Sequence, residues 1–144
     1  MKIKILTGAV ALLFLAGGTV AEAQSLKIRQ IQADQEKQLE ENVQATNKAC
    51  GTNIVIKFDW KDVPGEELTK YSASGYCDAA LAGIRHTCDE DIGKTAIKEK
   101  IKTMTCGFGA ERSISLKDGA LDYKINFSSS NDMEYVFKYL QDNL

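Results

Sequence analysis

Cys77, Leu81, Ile84 and Cys88 follow one another at steps of four, three and four. That spacing lines side chains along one face of an α-helix. The helix that carries them is predicted over about 66–87, after the Pro64-Gly65 turn and with Glu66 and Glu67 at its positive end. Two cysteines eleven apart in a helix lie about 16 Å apart along its axis, whereas a disulfide needs Cα atoms within about 7 Å. Cys77 therefore cannot bond Cys88 unless the helix breaks, for example at Gly83, and each must find Cys50 or Cys106. A strand leading away from Cys50 and a helix returning to its level favour Cys50 with Cys88 and Cys77 with Cys106. A bend or a short connection would reverse the pairs.

Disulfides require an oxidising compartment, and the start of the chain points to one. Lys2 and Lys4 precede an apolar run from Ile5 to Ala16, and Ala21-Glu22-Ala23 is a small-x-small cleavage site. Residues 1–23 are read as a cleavable signal peptide, too short in its apolar run for a spanning helix of about 20 residues. Residues 24–144 are read as one disulfide-stapled domain, with no membrane span after cleavage. The expected location is the periplasm, otherwise the secreted medium. The four cysteines form no C-x-x-C pair, which argues against structural zinc.

The rest of the chain reads as an alternation of elements. Residues 25–49 lack Gly and Pro and space Ile28, Ile31, Leu39 and Val43 as a thin helical stripe. Ile54, Ile56, Phe58 and Trp60 alternate with polar or outward positions, the period of a half-buried strand. Residues 92–105 are ambiguous and are read as a short helical turn that becomes a strand at about Lys100. Asp118-Gly119 predicts a two-residue hairpin that sets Leu116 opposite Leu121 and Ile114 opposite Tyr123. Asn131 and Glu134 resemble a capping box for a last helix that buries Met133, Val136 or Phe137, and Leu140. The order α-β-α-β-β-β-α predicts a small α+β domain, a mostly antiparallel sheet of about four strands with helices on one face.

Motifs for chemistry are weak. Gly93-Lys94-Thr95 lacks the earlier glycine of a phosphate loop, Cys88 standing there. Asp89 and Asp91 suggest a calcium loop, but Lys100 occupies the position of its bidentate glutamate. His86 is the sole histidine, no G-x-S-x-G elbow exists, and the cysteines are committed to disulfides. His86 and Arg85 are read as favourable charges at a helix C-terminus. No catalytic residue, cofactor site or metal site is assigned. Taking two lysines and one glutamate from the chain's 18 basic and 20 acidic side chains leaves a mildly acidic mature protein, unlike a nucleic-acid binder.

One surface is singled out: in a strand, Lys98, Lys100 and Lys102 would form a basic stripe. Exposed tyrosines and Trp60, if they cluster, would mark an interface. The expected function is that of a small exported, non-catalytic module that binds another exported protein, as an inhibitor or immunity-type protein does. The competing expectations are a hydrolase of envelope material working through two carboxylates, and a structural protein holding an anionic polymer on the lysine stripe.

Overall fold

The structure is a computed structural model that describes residues 19–144, with side-chain burial from residue 25. The apolar run of the expected signal peptide lies outside the described residues. Helix α1 (Thr19–Cys50) begins just before the expected cleavage site and continues through it. It ends where Gly51 takes a positive φ of 65°, the left-handed conformation that closes many helices. Its stripe buries Leu39, Val43, Thr46 and Cys50.

Strand β1 (Val55–Asp59) follows, then a 3-10 turn at Glu67–Thr69 and helix α2 (Ala73–Thr87). The helix predicted from residue 66 is thus split. Ser72 interrupts it because its extended backbone and side chain accept the Gly75 N–H as an N-cap. Helix α3 (Asp91–Lys100), strand β2 (Thr103–Phe108), the hairpin of β3 (Ser113–Lys117) and β4 (Ala120–Ile125), and helix α4 (Asp132–Asn143) complete the chain.

The four strands form one sheet in the order β1-β2-β4-β3. It is mixed, not mostly antiparallel: β1 with β2 and β2 with β4 are parallel, and only β3 with β4 is antiparallel. The reason lies in the connections. The stretch carrying α2 and α3 brings the chain back to the level where β1 began, so β2 starts in the same direction, as a helical crossover dictates. The chain then reverses once between β2 and β3 and again at the hairpin, and β4 slots between β2 and β3. Asp118 and Gly119 both have positive φ, as a tight I′ hairpin requires, and the register pairs Leu116 with Leu121 and Ile114 with Tyr123.

One face of the sheet is buried under helices. Met104 and Cys106 of β2 and Leu121, Tyr123 and Ile125 of β4 point inward and are at most 1% exposed. The other face is polar: Lys124 reaches Asp59 at 3.8 Å and Asp122 at 3.9 Å. Its path crosses Gly107, where a Cβ would come within 2.8 Å of the Lys124 Nζ.

Helices α1 and α2 run side by side in the same direction. Gln35 and Gln38 meet Ser74 near the start of α2, and Cys50 is bonded to Cys88 just past its end. The second disulfide, Cys77 to Cys106, ties α2 to the middle of β2, with Cα atoms 6.2 Å apart. Helix α2 also carries Gly75, Ala79 and Gly83 at four-residue spacing, and Gly83 meets the backbone of α4.

Two local expectations are corrected. Asn131 is left-handed, with φ 59°, and its side chain makes no cap hydrogen bond, because a capping side chain needs extended backbone at that position. Val136 and Leu140 are buried as expected, but Met133 is exposed at 45% and its neighbour Asp132 is buried in its stead.

Candidate functional site

The end of α2 is built so that α3 can dock on it. A Cβ on residue 93 would fall on the Thr87 carbonyl. Glycine there lets the first turn of α3 rest against the last turn of α2. Cys88, bonded to Cys50, anchors the turn between them. The last turns of α4 close the third side, and the three helices enclose a cleft of about 440 Å³.

The cleft is apolar inside and acidic at its rim. Phe137, Leu140, Ala96 and Leu144 line it, and Ile92 stands at its edge with 77% of its surface exposed. Asp89 and Glu90 are the charged groups of the lining, and no lysine or arginine is among them. His86 lies with its ring centroid 4.4 Å from that of Phe137, and its Nδ1 is 2.7 Å from Asp89 Oδ2. Its Nε2 has no partner among the described residues.

A histidine oriented by a carboxylate is two-thirds of a nucleophilic triad. The hydroxyl that lines the cleft, Thr87, instead donates to the Gly83 carbonyl within its own helix at 3.0 Å. The groups gathered here offer recognition: a greasy floor, an aromatic face, and carboxylates facing solvent. Among the described residues no group of three or more His, Cys, Asp or Glu is placed to hold a metal ion, and no helix is long and apolar enough to cross a membrane.

The lysines singled out from the sequence do not form a strand stripe. Helix α3 runs through Lys100, because Ile97 and Ile101, four residues apart, are both buried. Lys98 and Lys100 therefore leave the helix in different directions, and Lys102 folds back to donate to the Lys98 carbonyl. Of the other candidates, Arg85 pairs with Asp78 at 3.1 Å and donates to Thr46, and Glu67 pairs with Lys70 at 3.3 Å. Tyr71 stacks on Phe127, and Tyr76 meets the same ring edge-on and donates to the Phe127 carbonyl. Burial raises the Tyr76 phenol above its ordinary pKa, with the Asp132 charge next in effect.

Asp132 was not legible as special in the sequence, where it reads as an ordinary acid in a first helical turn. It is only 5% exposed and accepts hydrogen bonds from Tyr123 and Ser129, with Arg112 at 3.5 Å. Arg112 in turn lies 4.0 Å over the Tyr135 ring. Burial, then the hydrogen bond to Asp132 and its charge, push the Tyr123 phenol far above its ordinary pKa. Tyr123, Ser129 and Arg112 converge on one carboxylate oxygen, Oδ1 of Asp132, and the cluster joins β4 to α4 as a structural clamp.

Comparison with protein-family models, curated proteins and solved structures finds no match for the chain. The cleft at His86 is therefore read on its own chemistry.

Proposed function

We propose that the protein is an exported, non-catalytic protein-binding module, an inhibitor or immunity-type protein acting in the periplasm, and that its partner docks at the cleft between α2, α3 and α4. The observation that carries this reading is Ile92, a large aliphatic side chain 77% exposed beside an apolar cleft. An isolated exposed isoleucine is ordinary, but one continuous with an apolar depression rimmed by charge is how a docking anchor site is built. Two disulfides in a chain with a signal-like start support export.

The rim specifies the occupant. With Asp89 and Glu90 in the lining and no lysine or arginine there, the fitting partner is a protein surface that inserts an apolar side chain and sets a lysine or arginine beside it. The test uses the oxidised protein and its Ile92→Glu variant as baits for envelope and culture fractions. The reading expects one stoichiometric protein held by the first at moderate salt, weakened as salt rises, and lost from the variant. A partner held equally by both baits would move the site elsewhere; only loose polymer released by salt would overturn the reading.

A further inference from the structure

The two edges of the sheet are guarded differently. On β3, the Tyr139 hydroxyl accepts the Leu116 N–H at 2.8 Å, so an added strand would collide with that ring. On β1, Asn47 of α1 occupies the edge at Ile54, donating to its carbonyl at 2.9 Å and accepting its N–H at 2.8 Å. A side-chain amide there mimics a neighbouring strand for one residue, and then it stops.

Backbone groups alternate between the two edges of a strand. Val55 donates to the Lys102 carbonyl beside β2, whereas Ile54 faces Asn47, so Ile56 and Phe58 turn their N–H and C=O groups outward with Ile54. Among the described residues nothing pairs with the N–H groups of Ile56 and Phe58 on that side. Next to them, between α1 and β1, runs a groove of about 260 Å³ lined by Leu39, Ile56 and Phe58, with Glu40 and Glu36 on its helix side, the latter accepting the Trp60 Nε1–H at 2.5 Å, and Lys57 on the other.

We propose that β1 is a strand-accepting edge, at which an extended segment of a partner adds to the sheet beside Ile56 and Phe58. Side chains of such a strand alternate, and those on the helix side enter the groove. The chemistry that fits is a long basic side chain, its stem over the half-buried Ile56 and Phe58 and its charge at exposed Glu40. This surface is separate from the His86 cleft and does not depend on it. An open edge of this kind is normally blocked in a monomer, as Tyr139 and Asn47 do elsewhere in this sheet.

The test is amide hydrogen exchange on the oxidised protein, read by NMR, with a blocked octapeptide of alternating arginine and valine and a second of alternating glutamate and valine. The arginine peptide is expected to slow exchange at Ile56 and Phe58 by at least about tenfold, the glutamate peptide to leave it unchanged, and Glu40→Lys, an exposed change outside the strand, to abolish the effect. No slowing, or equal slowing by both peptides, would overturn the proposal. Protection that grows with protein concentration alone would assign the edge to a second copy of the chain and overturn it equally.

Discussion

A Cβ placed on Gly83 would come within 2.6 Å of the Met133 carbonyl oxygen and 3.0 Å of the Phe137 nitrogen. Those are backbone atoms of α4 and cannot swing aside. Replacing glycine by alanine in an open helix stabilises by about 1 kcal/mol, but overpacking a seam costs about 1–3 kcal/mol. The clash wins: Gly83→Ala is expected to lower the urea midpoint with the slope unchanged, measured by equilibrium unfolding.

Gly93 sets the cleft in the same way. Gly93→Ala is expected to lift the first turn of α3 from Thr87 and leave the disulfide-tied core folded. Limited trypsin digestion should then cut faster at Lys94 and Lys98, with cleavage elsewhere unchanged; an unaltered digestion pattern would mean that α3 is held by other contacts.

Tyr123 carries an alkaline limit to stability. Its folded pKa is raised above the unfolded value of about 10, so its contribution is complete below that pH. Above about pH 10 the unfolded chain loses the proton that the folded chain keeps, and stability is expected to fall by about 1.4 kcal/mol per pH unit from this group. Tyr123→Phe should remove that share of the slope. At neutral pH it should cost about 1–3 kcal/mol, because buried Asp132 loses a donor. Urea unfolding between pH 7 and 11 reads both effects.

The disulfide pairs can be read directly, since trypsin separates all four cysteines into different peptides. Without reduction, peptide 49–57 should be found joined to 86–94, and 71–85 to 103–112. Cys77→Ala with Cys106→Ala should cost roughly 3–4 kcal/mol by the loop-entropy relation, more if the buried site between α2 and β2 does not close up.

Local chemistry made much of the fold legible. Gly51 after a long polar helix, the alternation from Ile54 to Trp60, and Asp118-Gly119 between two alternating runs each act within a few residues, and each element stands where the pattern put it. The sequence also excluded Cys77 bonded to Cys88 for any unbroken helix, because the helical rise separates them, and α2 runs unbroken from Ala73 to Thr87. The candidate site was less legible. His86 and Asp89 are close in sequence, but the cleft needs Phe137 and Leu140 from the other end of the chain.

The tertiary structure decided what depends on direction and on distant partners. Periodicity is the same for parallel and antiparallel strands, so only the path through α2 and α3 could set β1, β2 and β4 side by side in one direction. Which two disulfides form followed from where α2 ends relative to Cys50. Asp132 and Met133 are neighbours in one helical turn, and only the packing of α4 against β4 and α2 chose to bury the acid beside Tyr123 and leave the methionine in water. Gly83 and Gly93 look alike to any reading of the chain. Their roles appear only when another backbone lies against them, because a missing Cβ matters only where something occupies its space.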